Sequence, residues 1–237
     1  MKNWKILILS LLVTAFYSLK VLYLTMVKQK PRLSIDELTR SWSNKILKLA
    51  RVNYRIFNAC SIEFVPNKSY VVMSNHASHY DIPLIFVAFP RGSIRMIAKK
   101  ELFRVPIWGH AMRAAEFVSI DRKNRRQAIK DLHLAYEKMQ NGIIPWIAPE
   151  GTRTRTGEMQ AFKKGGFVLA SKTNAIIIPV GIRGSGKILA PDTWDFHLNQ
   201  NVEIYIGEPI DSAKYQNIQE LMVVVEQEIK NMLNSKP

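Results

Sequence analysis

Beyond residue 60 the chain switches repeatedly between two hydrophobic periods, and this alternation restricts its folds more than any other feature. Short runs rich in β-branched and aromatic residues predict strands at 61–65, 69–74, 94–98, 117–120, 143–148, 175–182 and 202–206. Between and after them, apolar residues at helical spacing predict helices over 82–89, 101–113, 125–140, 162–173 and 218–233. The two periods follow from 3.6 residues per turn in a helix and two-residue alternation in a strand. Strands alternating with helices build an α/β layer around a largely parallel sheet, because each parallel pair needs a crossover. No repeat, low-complexity tract or linker divides this region, so it reads as a single layered domain.

A different pattern precedes it. Residues 6–27, ILILSLLVTAFYSLKVLYLTMV, carry one charge, Lys20. About 20 apolar residues cross a bilayer as a helix, so the segment is long enough to span, or to lie half-sunk with Lys20 snorkelling. Val13-Thr14-Ala15 faintly resembles a signal-peptide cleavage site, but the apolar run continues past it. Lys2 and Lys5 stand before the run and Lys28, Lys30 and Arg32 after it, which leaves its orientation unset. Next, Ser34 and Glu37 have the spacing of a capping box. Ile35, Leu38, Trp42, Ile46 and Leu49 then recur at helical spacing, with Arg40, Lys45, Lys48, Arg51 and Arg55 along the same helix. A basic amphipathic helix beside an apolar anchor is expected to lie on an anionic membrane. The chain thus divides into a membrane-associating helical part, 1–58, and an α/β domain, 59–237.

Charge supports this division. Lys and Arg number 34 against 19 acidic residues, a net charge of +15 that calls for an anionic partner. Zinc-finger spacing and RNA-binding signatures are missing from the sequence, so an anionic membrane surface is expected rather than nucleic acid. The single cysteine, Cys60, excludes an internal disulfide and is expected to be a buried apolar side chain. GIRGSGKI at 181–188 nearly matches a phosphate-binding P-loop, but Ile188 replaces the hydroxyl that would hold magnesium and Pro191 follows too soon for a helix. It reads as a turn after a buried strand.

Functional groups in such sheets gather in loops at strand ends. Three polar clusters fall there: NHASHYD at 75–81, IDR at 120–122 and PEGTRTRTG at 149–157. His76, His79 and Asp81 lack a matching second half-site for a metal. Asp81-Ile82-Pro83 is a good helix start, with Asp81 as cap. A carboxylate has two oxygens, so Asp81 can cap with one and hold an imidazole with the other. Residues five apart are splayed by about 140° on a helix, so His76 and Asp81 meet only if a turn folds the chain back before the helix. Asp81 would then fix the tautomer of His76 and leave its other nitrogen as a base toward a substrate hydroxyl. Ser78 would complete a hydrolase triad, but no G-x-S-x-G elbow surrounds it, and a turn-stabilising hydroxyl is the favoured reading.

Asn75 through Asp81 resembles the H-x-x-x-x-D motif of the glycerolipid acyltransferases, and the chain resembles the 1-acylglycerol-3-phosphate acyltransferases among them. Pro149-Glu150-Gly151-Thr152-Arg153 is similar to that family's third motif, Ser119-Ile120-Asp121-Arg122 falls where its second lies, and Ile176-Ile177-Ile178-Pro179-Val180 resembles its fourth. Lys99-Lys100-Glu101-Leu102 and Phe162-Lys163-Lys164-Gly165 also resemble the family. The ordered set runs from about residue 60 to 210. Glu116 and Ser119 stand where the second motif usually has glycine and phenylalanine, and Ala148 where the third usually has phenylalanine.

The resemblance implies a fatty acyl group passed from a thioester of coenzyme A or of acyl carrier protein to lysophosphatidic acid, yielding phosphatidic acid. His76 and Asp81 would be catalytic. Glu150, Gly151, Thr152, Arg153, Arg122 and Lys163 would contact substrate, and Asn75, Ser78 and Pro179 would support the site. Backbone N–H groups near the helix start would stabilise the oxyanion. No cofactor or metal is implied. The enzyme would sit at the cell inner membrane with its catalytic domain on the cytoplasmic face. Rival readings are an acyltransferase for another lysophospholipid, a membrane-bound serine hydrolase using Ser78, and a non-catalytic lipid-binding protein.

Overall fold

A computed structural model describes residues 4–235 apart from residues 59 and 122. Two helices lead. α1 (Trp4–Leu22) continues as a π-helical turn (Tyr23–Val27), and α2 is Arg32–Leu49. The sheet strands are β1 (Asn53–Asn58), β2 (Tyr70–Ser74), β3 (Ile94–Lys99), β4 (Val118–Ile120), β5 (Ile144–Ile147), β6 (Ile176–Arg183), β7 (Asn201–Ile206) and β8 (Ile210–Asp211). Interleaved with them are α3 (Asp81–Ala88), α4 (Trp108–Ala114), α5 (Arg125–Gln140), α6 (Gly165–Lys172) and α7 (Ile218–Asn234). The strand order is β1-β7-β6-β2-β5-β3-β4, with β8 pairing β6. Neighbours are parallel except β6 with β7 and β6 with β8. The expected largely parallel α/β layer is therefore present.

Both faces of the sheet are covered, which is why β2 is buried at every position. Tyr70 and Val72 point to one core with α3 and α2; Val71 and Met73 point to the other with α5, α6 and α7. Each fully buried Leu, Ile or Phe in these layers contributes about 1.5–3 kcal/mol. Pro179 stands in the middle of β6, where a missing N–H is ordinarily costly. There β6 changes partner, from β8 at Ile176 and Ile177 to β7 from Val180 onward. The proline occupies the gap between the two ladders.

Several expectations are corrected. Residues 61–65 form no strand; Ile62 and Phe64 pack on the core, so their alternation records one buried side of an extended segment without a ladder. The edge beside β7 is taken by β1 instead. The helix expected over 101–113 is broken: a 3-10 turn (Lys100–Arg104) precedes α4, and Pro106 separates them. α2 starts at Arg32 after Pro31, whose φ of −65° sets the first turn, so Ser34 and Glu37 lie inside the helix and form no capping box. Cys60 is exposed rather than buried.

The N-terminal helices pack closely on the domain. Ile46, Leu47 and Ala50 belong to the α3-side core, and Ile6, Leu7, Val13 and Trp42 pack against it. The apolar face of α2 is thus covered by protein rather than lipid. α1 keeps a second, outward face on which Leu11, Leu12, Phe16 and Leu19 are exposed. Trp4–Val27 is long and apolar enough to cross a membrane.

Candidate active site

β2 and β5 are neighbours, yet the chain leaves them in opposite directions. From β2 it crosses through α3 on one face to β3; from β5 it crosses through α6 on the other face to β6. Such a reversal opens a crevice at the carboxyl ends of the two strands. NHASHYD begins where β2 ends and PEGTR where β5 ends, so topology alone brings the first and third motifs together.

The turn folds back as the spacing requires. His76 Nδ1 lies 2.8 Å from Asp81 Oδ2. The same oxygen accepts the backbone N–H groups of Ala77 and Ser78 at 2.8 and 2.9 Å. The expected division of labour between the two oxygens does not occur: Oδ2 takes all three bonds and Oδ1 is buried without a hydrogen-bond partner among the described residues. Asp81 is the first residue of α3 and reaches backward into the loop, so it does not cap the helix. With Nδ1 protonated toward a carboxylate that is 0% exposed, Nε2 carries the lone pair and is left to the cleft that His76 lines.

Every neighbour of this pair is held by the backbone. Asn75 bonds both the N–H and the carbonyl of Ile182, at 2.8 and 2.9 Å. Ser78 Oγ, fully buried, donates to Leu189 O at 2.9 Å. That hydroxyl faces away from His76 chemistry and stabilises the turn. Glu150, expected to touch substrate, is buried and accepts from His76 N and Gln160 N, each at 2.8 Å. Its carboxylate therefore positions the first motif against the third. Burial pushes its carboxyl pKa upward, and the two backbone donors pull against that. Thr154 N completes the tie by donating to His76 O at 2.8 Å.

Gly151 adopts φ +76°, and a Cβ there would come within 2.8 Å of Lys163 Nζ. The angle favours glycine, while the lysine tip could move aside for a larger residue. Lys163, expected in the substrate site, lies against Gly151 and does not line the cleft. Thr152 and Arg153 do line it, together with His79, Lys99 and Arg155, around a volume of about 470 Å³. Asp192 stands opposite, 3.9 Å from Arg153 and 2.6 Å from Arg155. His79 is exposed. The protein around it still penalises its charged form, and Arg153 opposes a second cation, so its pKa is pushed down to about 4. Asp121 of the second motif pairs with Lys100 and accepts from Lys123 N and Asn124 N. Arg122 lies outside the described residues.

Four of the backbone N–H groups near the helix start are already committed within the turn. The N–H groups of Ala77 and Ser78 serve Asp81, and those of Asp81 and Ile82 close turns onto Ser78 O and His79 O. Two features have no sequence signal. Trp146 sets its indole edge-on to His76 at 5.8 Å and donates to Ser74 Oγ. Ile82 and Met96 are shared between the cleft and a narrow apolar cavity, whose other walls include Thr14, Val21, Leu38, Trp42 and Trp108. Four separate helices build that cavity.

Known proteins share this fold and sequence pattern. The fold matches the crystal structure of the 1-acyl-sn-glycerophosphate acyltransferase PlsC from Thermotoga maritima with a TM-score of 0.81, at 26% identity, over 98% of this chain and 96% of that one. A chloroplast 1-acyl-sn-glycerol-3-phosphate acyltransferase of Arabidopsis thaliana is 31% identical over 77% of this chain and 52% of its own length. The human 1-acyl-sn-glycerol-3-phosphate acyltransferase alpha is 34% identical over 57% of this chain and 50% of its own. The chain thus spans about half the length of these curated relatives. The profile described as Acyltransferase matches residues 57–183, from β1 to the end of β6 and across every motif of the cleft. By that match this chain belongs to the Acyltransferase family.

Proposed function

We propose that the protein transfers a fatty acyl group from an acyl thioester to the free hydroxyl of 1-acylglycerol-3-phosphate, forming phosphatidic acid. The observation that carries this reading is the His76–Asp81 pair at 2.8 Å, on a cleft that Arg153 also lines. Nε2 of His76 takes the proton of the acceptor hydroxyl as its oxygen attacks the thioester carbonyl. Asp81 stabilises the imidazolium that forms. As the C–O bond closes and the C–S bond breaks, the leaving thiolate receives that proton. Lys99, Arg153 and Arg155 give the cleft a positive field for the negative charge that develops. Arg153 presents a planar fork to the acceptor phosphate, and Thr152 adds a hydroxyl. The apolar cavity behind Ile82 and Met96, about 80 Å³, has space for the first few methylenes of a fatty chain.

The donor is a thioester of coenzyme A or of acyl carrier protein. The outward apolar face of α1 lies in the cytoplasmic leaflet of the inner membrane, with the inner face docked on the domain. On this reading the membrane-attaching unit ends after α2, because β1 belongs to the sheet. The test is acyl transfer to lysophosphatidic acid by the purified full chain, with each donor in turn. Phosphatidic acid that disappears in His76→Ala is the expected result. Free fatty acid without an acceptor, or undiminished transfer by His76→Ala, overturns the reading.

A further inference from the structure

The chain between the 3-10 turn and α4 leaves the core and returns within four residues. Phe103 is buried and Gly109 is pressed against it: a Cβ on Gly109 would lie 2.3 Å from Phe103 O. Between these fixed points Arg104, Val105, Pro106 and Ile107 are all exposed. Ile107 holds φ 62° and ψ −60°, with Trp108 N donating to Pro106 O at 2.6 Å. This is a γ-turn of the rare, strained hand, centred on a β-branched residue. A backbone state of this kind persists only where the surroundings enforce it, and such outliers concentrate at functional surfaces. Here it turns two apolar side chains into solvent, Val105 at 40% and Ile107 at 43% exposure.

The neighbours say what covers them. Trp108 lines the apolar cavity whose facing wall is α1, through Thr14, Tyr17 and Val21. α1 packs on α4, the helix that the bulge leads into, and exposes Leu11, Leu12, Phe16 and Leu19. Arg104 stands in the bulge and Arg113 stacks over Phe103, whereas Lys99 lines the cleft and Lys100 pairs with Asp121. Apolar tips beside basic side chains match an anionic bilayer interface.

We propose that the 104–107 bulge is a membrane wedge, inserting Val105 and Ile107 beside α1 while Arg104 stays among anionic headgroups. α1 fixes one line of contact on the membrane, through its outward face. The wedge supplies a second point and sets how the cleft faces the lipid. This rests on the membrane-surface reading above, but its test needs no acyl transfer.

The experiment uses the full chain with Cys60→Ser and one new cysteine bearing an environment-sensitive fluorophore, at Ile107→Cys or, as control, at Leu134→Cys. Leu134 is 44% exposed on α5, over the opposite face of the sheet. The protein is bound to phosphatidylglycerol–phosphatidylcholine vesicles whose acyl chains are brominated. Interfacial segments sink roughly 5–10 Å, within reach of the bromines, so the probe at 107 should lose about half its emission or more while the probe at 134 keeps its own. Equal quenching at both positions, or none at 107, overturns the wedge. So does a signal at 107 that follows protein concentration instead of bromolipid, which would make the surface a contact between protein copies. If Ile107→Cys fails to fold, Val105→Cys gives the same reading. Absence of acyl transfer in a preparation that shows the quenching counts against the proposed reaction and leaves the wedge standing.

Discussion

The two ends of the sheet both bury charge, and they use it differently. At the carboxyl end Asp81 and Glu150 are buried, and each anchors a loop around one nitrogen left open to a cleft. At the amino end Arg95, 1% exposed, lies 2.7 Å from Asp36 on α2. Arg95 also donates to the carbonyls of Ala115 and Ile94, and burial lowers its pKa. Beside it Arg32 pairs with Glu116 through two bonds of 2.6 and 2.8 Å. Buried charge thus orients a ring nitrogen toward a cleft at one end and ties α2 to the sheet at the other.

The sharpest way to break that distinction is His76→Ala. Turnover should fall by about 10²–10⁴-fold, the range for a lost general base, with circular dichroism and melting temperature near those of the parent. Near-parental transfer would erase the difference between the two ends. Arg95→Met should do the reverse. It leaves Asp36 buried without its partner, at a cost of about 3–5 kcal/mol of stability, read from denaturant unfolding. Activity per folded molecule should hold, and removing both charges in Arg95→Met/Asp36→Leu should recover much of the loss.

Smaller effects refine the cleft itself. Arg153→Lys removes one of two parallel charge-assisted bonds, each worth roughly 1.5–3 kcal/mol. kcat/KM for lysophosphatidic acid should fall about ten- to hundredfold, largely through acceptor KM. A lysolipid whose phosphate is esterified to a headgroup should suffer less, and equal losses would make Arg153 a structural residue.

Glu116 tests the tie at the amino end. Its φ of +66° is one that glycine adopts freely, so Glu116→Gly exchanges an ion pair for relief of strain. Exposed pairs are worth about 0–1 kcal/mol, and the melting temperature should move by only a few degrees.

The smallest effect is a pH dependence. His79 ordinarily titrates near 6.5 and is held down to about 4. The unfolded chain therefore takes up the proton first, and this contribution to stability is lost as pH falls through that window. His79→Gln should flatten the acid side of a melting-temperature profile there and leave the alkaline side alone.

The five-residue gap between His76 and Asp81, set between a strand run and a helix start, already demanded a folded-back turn. The 2.8 Å contact meets that demand with a different oxygen arrangement. Ser78 was legible as a turn hydroxyl from the missing nucleophile elbow, but its acceptor, Leu189 O, is 111 residues away. Glu150 was misplaced for the same reason: a motif names a residue type, and its two backbone donors come from separate loops. The strand at 61–65 was misread because alternation reports burial of one side, while a ladder needs a partner with a free edge.

Local rules thus determined what neighbouring residues decide among themselves: the strand and helix alternation, the turn of NHASHYD and the glycine at 151. Tertiary structure decided what depends on distant segments meeting. It placed β1 beside β7, set the apolar face of α2 on the domain, turned Glu150 into a tie and assembled the apolar cavity from four helices. Propensity and periodicity act over a few residues, whereas burial and hydrogen-bond satisfaction are settled only when the whole chain has packed.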